Sequence, residues 1–187
     1  LGPHAELPRA QWTDSVRDQA SEAAFAVRPL EKLVLPPPLD GRAGRFRAPA
    51  AQCRLTAQDD LDAVRAWLGP APSAKEATAR GGRPLHTYRA YRKEAERLLL
   101  WATLERGVSL SGLDDADAQA YLAFLADPQP RARWCGPACA GRWSSRWRPL
   151  TGPLSTVSQI HAARVLRALF AFLVEQGYLQ HGRFQDT

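Results

Sequence analysis

The sequence predicts an all-α fold, four main helices behind a proline-rich N-terminal arm. Three observations predict it. Apolar residues recur at helical spacing in four separate segments, cap-forming residues open those segments and glycine or proline closes them, and the 15 prolines fall between the segments. A length of 187 residues suits one domain plus a tail, and 45% hydrophobic content permits a core.

Residues 1–24 place Trp12, Val16 and Ala20 at helical spacing behind Asp14 or Ser15, a pattern for a short helix or the remnant of a preceding domain. Residues 28–53 read as a linker, and Pro36-Pro37-Pro38 favours extended polyproline II geometry. Its Arg42, Arg45 and Arg47 either follow a phosphate backbone or belong to a charged tether laid over the domain. The first main helix is expected over 56–68. Thr56 and Asp59 form a capping-box-like pair, Leu61, Val64 and Leu68 make the buried stripe beside Trp67, and Gly69-Pro70 stops it. The loop 71–84 carries Arg80 and Arg83 to the next helix. Cations there oppose the helix dipole, and make better sense if a phosphate takes both them and the exposed N–H groups.

The second helix, 86–106, aligns Tyr88, Tyr91, Ala95, Leu98, Leu99 and Ala102 on one stripe, with Arg89, Arg92, Lys93 and Arg97 on its flank. Thr87 can cap its start and Gly107 its end. The flank is either a surface for a polyanion or a solvated face in which Glu94, Glu96 and Glu105 balance the charge. A third helix, 115–125, turns Ala118, Tyr121, Leu122 and Leu125 inward. Asp114, Asp115 and Asp117 cap it in the stabilising sense, so these acids need no catalytic role. Residues 128–153 hold Arg131, Arg133, Arg142, Arg146 and Arg148 with Trp134, Trp143 and Trp147 and no acid at all. The rings are expected to anchor this loop to the bundle, leaving the arginines as DNA candidates. The fourth helix, 155–176, starts at Ser155 or Thr156 and buries Ile160, Ala163, Leu166, Leu169, Phe170 and Leu173. Ser158, His161, Arg164 and Arg167 lie off that stripe, with no acid until Glu175, and Gly177 with Tyr178-Leu179 closes the helix.

The formal charge of +6 lies at one end: residues 128–187 hold eight basic and two acidic groups. Such local excess favours nucleic acid as partner. No apolar run of membrane length is read, because Arg167 breaks the longest one, and no secretory signal is visible. The chain contains no methionine, so it is expected to be an excised piece of a longer protein. Three cysteines argue against a disulfide scaffold. Cys135 and Cys139, with His86, His161 and His181 elsewhere, lack the spacing of a zinc site, so no metal and no cofactor is expected.

The order of these patterns resembles a known family. Thr87-x-x-x-Tyr91, Leu98-Leu99-x-Trp101, Gly107, Leu110-Ser111-x-Leu113-Asp114 and Tyr121-Leu122-x-Phe124-Leu125 are similar to the core-binding domain of phage-type integrases, the tyrosine recombinases. Leu154-Ser155, Leu166, Leu169-Phe170, Phe172-Leu173, Glu175 and Gly177-Tyr178-Leu179 resemble its closing helix. Phe25 to Leu39, Asp40-Gly41, Arg45 and Asp59-Asp60-Leu61 to Trp67-Leu68 resemble the lead-in of one bacterial subgroup.

The resemblance implies a SAM-like orthogonal four-helix bundle over 54–181, an arm over 1–53, and a tail at 182–187 leading to a separate catalytic domain. It implies half of a C-shaped clamp whose second and fourth helices meet duplex DNA near the major groove. Arg83, Thr87, Arg89, Arg92, Lys93, Ser158, His161, Arg164 and Arg167 are the candidate contacts. Arg92 and Arg164 are the first choices for base edges, and Arg142, Arg146 and Arg148 are a second rank. His161-Ala162-Ala163-Arg164 spells the family's catalytic His-x-x-Arg, but it precedes the closing helix with no nucleophile domain around it. No residue is therefore assigned to catalysis. The expected setting is the nucleoid-bearing cytoplasm, with a monomer in isolation and a tetramer of the full-length protein on DNA. The competing reading is a helical protein-interaction module anchored on Trp134, Trp143 and Trp147; an enzyme reading comes third.

Overall fold

In the computed structural model the described residues are 26–73 and 84–184. They are helical, with α1 at Asp60–Leu68, α2 at Leu85–Trp101, α3 at Asp115–Ala126, a short α4 at Arg131–Trp134, and α5 at Thr156–Glu175. Among the described residues there is no strand, only isolated bridges between Arg47 and Leu179 and between Cys135 and Leu150.

α5 is the hub. It packs against α1, α2 and α3, and α1 also meets α2. Its buried residues are Ala162, Ala163, Val165, Leu166, Leu169, Phe170 and Leu173. By length and composition α5 is apolar enough to cross a membrane, with a mean hydropathy of 1.4 over its most apolar window, which the sequence reading of a broken run did not anticipate. In the bundle part of that window, Ala162 to Leu173, packs against the other helices, while its first residues are exposed. Ile160, assigned to the buried stripe, is 42% exposed, because the first buried residue of α5 is Ala162.

The ends of the helices follow local chemistry, with two corrections. α1 is capped by Asp59, whose carboxylate accepts from Asp62 N at 2.8 Å, so the helix starts later than the Thr56 pair implied. An ionised cap satisfies an orphan N–H and complements the dipole together, which a threonine cannot. α2 starts at Leu85 after Pro84, whose carbonyl accepts from Tyr88 N at 3.0 Å. Thr87 therefore lies inside the helix and caps nothing. Proline fixes φ near the helical value and has no N–H to leave unsatisfied, so it starts the helix without a side-chain cap. Beyond Trp101 the chain widens into a π-helical stretch, Ala102–Arg106, closed by Gly107 at φ 65°. Asp114 and Asp117 form a reciprocal capping box on α3. Ser155 caps α5, and Leu179 N donates to Leu173 O after Gly177.

The segment read as a linker belongs to the core. Leu30, Leu33 and Leu35 join the central apolar cluster, and Leu39 is buried too. Pro36 is extended, but Pro37–Leu39 tightens into a 3-10 turn, so the triple proline is not one polyproline run. At the other end Phe184 is 3% exposed and Arg183 Nε donates to Leu113 O at 2.8 Å. The packed unit thus extends beyond 54–181 on both sides. The stretch 1–24 with its helical spacing lies outside the described residues.

One junction ties arm to bundle. Asp60 is fully buried, accepting from Ser111 N at 2.9 Å, Ser111 Oγ at 3.1 Å and Tyr178 OH at 2.8 Å. Arg47 donates to Tyr178 OH at 3.1 Å and to Gly41 O at 3.0 Å, and its guanidinium lies 3.9 Å from the Tyr178 ring centroid. A β-carbon at Gly41, where φ is +87°, would overlap the Asp60 carboxylate, so glycine is required there. Asp60, the second of two adjacent acids at the start of α1, and Tyr178, read as closing α5, are instead the centre of this junction.

Candidate nucleic-acid interface

The predicted contacts separate into outward and captured groups. On α2, Arg89 and Lys93 are exposed, while Thr87 and Arg92 are half-buried. The Arg89 side chain makes no hydrogen bond or ion pair among the described residues. Lys93 Nζ lies 3.7 Å from Glu94 Oε1. Arg92, first choice for a base edge, pairs with Glu31 Oε1 at 3.1 Å and lies over the Tyr88 ring. Its side chain is only 22% exposed, which removes it from the first rank. Arg83 lies outside the described residues.

On α5, Thr156, Val157, Ser158, Ile160, His161 and Arg164 are exposed. The side chains of Arg164 and His161 make no ion pair or hydrogen bond among the described residues. Ser158 is engaged locally, its N–H donating to Ser155 Oγ at 3.3 Å and its hydroxyl accepting from Ser155 Oγ at 3.1 Å. Arg167 is turned back on the chain, with Nε donating to Phe184 O at 2.8 Å.

The second-rank arginines divide in the same way. Arg142 reaches Glu31 and the 2%-exposed Glu96, bridging the arm and α2. Glu96 also accepts from Leu30 N at 2.6 Å. Burial works to raise the pKa of Glu31, but the Arg142 hydrogen bonds and charge outweigh it and hold the carboxyl below its ordinary value. Arg148 donates to the carbonyls of Ser145 and Trp147, at 3.0 and 2.7 Å. Arg146 alone points to solvent with no side-chain partner among the described residues.

The tryptophans behave as anchors, with one exception. Trp134 is fully buried, meets Phe124 edge-on at 5.1 Å and donates to Glu105 Oε1 at 2.8 Å; Trp147 packs partly against the core. Trp143 is 61% exposed, with Lys32 Nζ 5.0 Å from its ring centroid. Cys53, Cys135 and Cys139 are all reduced, and burial pushes the Cys135 thiol up. Among the described residues no three His, Cys, Asp or Glu side chains cluster as metal ligands would.

Sequence reasoning missed Glu31 and Glu96 as the groups that capture Arg92 and Arg142. They lie 61 and 46 residues from those arginines, a separation that no local spacing rule spans. The remaining outward cations among the candidates are Arg89 and Lys93 on α2, Arg164 on α5 and Arg146 in the loop. Comparison with family models, curated proteins and solved structures found no match.

Proposed function

We propose that this chain binds duplex DNA without cutting it, as the core-binding part of a site-specific tyrosine recombinase whose catalysis lies in another domain. The observation that carries the DNA-binding part is the outward face of α5. It presents Arg164, whose side chain has no partner among the described residues, beside His161, with no acidic residue on the helix before Glu175. Arg89 and Lys93 on the neighbouring α2 add to the same kind of surface. The recombinase part rests on the order of hydrophobic patterns in the sequence, as do the SAM-like helix arrangement and the tetramer on paired sites.

Three outward Lys/Arg residues on the two helices, each neutralising one phosphate, predict that log K falls against log salt with a slope of about −2.7. Fluorescence anisotropy with a short random duplex at several salt concentrations measures this. Binding that ignores salt overturns the reading. Incubation with supercoiled DNA should leave no protein–DNA adduct on a denaturing gel, and an adduct would show a nucleophile in this chain.

The protein-interaction reading retains one favourable observation, the exposed Trp143. Burial of Trp134 and partial burial of Trp147 remove two of its three anchors, since a ring held in the core is not available to a partner.

A further inference from the structure

Val157 and Ile160 are not explained by a purely cationic face. Val157 is 77% exposed and Ile160 is 42% exposed, among the few large apolar side chains on the described surface. Val157, His161 and Arg164 stand at i, i+4 and i+7, with Ile160 between them, so all four share one side of α5. No residue of α5 before Ala162 is buried, so this end of the helix stands clear of the core for nearly two turns. The patch combines two β-branched apolar groups with a guanidinium that has no partner among the described residues, and it has no neighbouring acid on its helix.

That combination limits the occupant. A lipid surface would take a broader apolar face, and α5 commits its larger apolar face to α1, α2 and α3. The floor of the DNA major groove offers one apolar group, the 5-methyl of thymine, beside the N7 and O6 acceptors of guanine. Methyl and isopropyl groups match the first, and arginine matches the second. Resting on the DNA-binding reading above, we propose that Val157 and Ile160 recognise thymine through its 5-methyl group while Arg164 takes a guanine nearby. From Ile160 to Arg164 the helix rises about 6 Å, and from Val157 about 10 Å. With bases about 3.4 Å apart along a strand, the guanine falls two to three steps from the thymine when α5 lies along the groove.

Selection from a random duplex library with the full chain, followed by resynthesis of the enriched site with deoxyuridine at each thymine, tests this. Loss of one methyl contact should weaken binding about fourfold, the factor that corresponds to one buried methyl-sized group. The double variant V157A/I160A should bind the thymine and uracil sites equally, with an unchanged thermal melt because both side chains are exposed. Equal affinity of the wild-type chain for the two sites overturns the inference, as does duplex binding with no enriched sequence; DNA binding itself survives either result. No duplex binding even at low salt overturns the underlying reading as well. Binding of anionic phospholipid vesicles that V157A abolishes would assign the patch to a membrane instead, and likewise overturns the inference.

Discussion

Replacing Asp60 with asparagine should remove a pH dependence of stability that the wild-type chain carries at its arm–bundle junction. Burial raises the Asp60 carboxyl from 3.8 to about 6, against the lowering effects of its Ser111 and Tyr178 hydrogen bonds and of Arg47. Since the folded value is the higher one, the folded chain binds more protons than the unfolded chain across this interval. Stability from this group is complete below 3.8 and disappears as pH rises through about 6. A shift of roughly two units amounts to on the order of 3 kcal/mol in full; about 1.4 kcal/mol of it remains at pH 5 and almost none at pH 8. Asparagine keeps the acceptor for Ser111 but does not titrate. Urea denaturation of both proteins at pH 5 and pH 8 isolates the effect, because all other carboxylates are shared. Between those two conditions the wild type should lose about 1.4 kcal/mol relative to D60N. Parallel pH profiles, or a wild type that gains on D60N as pH rises, would refute the reasoning. The second outcome would mean that Arg47, acting through Tyr178, keeps the carboxylate ionised.

Three further outcomes are expected. Arg164→Glu should weaken duplex binding and flatten the salt slope by at least about 1 while leaving the melt unchanged, and a collapsed melt would make Arg164 structural. Arg142→Ala should lower unfolding free energy by about 3 kcal/mol, because it leaves the nearly buried Glu96 without its charge partner; a loss below about 1 kcal/mol in urea denaturation would show that water replaces the guanidinium. Leu33→Ala should lower it by about 2–3 kcal/mol, and no loss would mean that the arm is not part of the cooperative unit.

The helices were legible because their causes are local. Asp114 and Ser155 act on backbone groups within four residues, and the Leu98, Leu99, Leu166 and Leu169 stripes repeat within one helix. Linker and core were confused because Leu30, Leu33 and Leu35 sit among prolines with no helical period, and only a distant helix gives them a place to be buried. Asp60 illustrates the same limit. Beside Asp59 and Asp62 it looks like one more acid at a helix start, yet its partners are Ser111 and Tyr178, 51 and 118 residues away. The cationic faces were half legible. On α5 the missing acids kept Arg164 outward, as composition implied. On α2 the acid that mattered was on another segment.

That division bears on how DNA would meet the surface. Arg89 and Arg92 are one helical turn apart, but only Arg92 faces the 3-10 turn carrying Glu31. If the captured arginines stay captured, Arg89, Lys93 and Arg164 set the salt slope at about −2.7. If a phosphate draws Arg92 from Glu31, and Arg167 from the Phe184 carbonyl, five contacts give about −4.5, not counting Arg83. Releasing Arg92 removes its direct tie from α2 to Glu31, so binding would loosen the arm there, while Arg142 still joins Glu31 to Glu96. A slope near −4.5 together with increased proteolysis around Glu31 in the complex would establish that coupling. A slope near −2.7 with unchanged proteolysis would leave the Glu31 network as a structural clasp that DNA does not open.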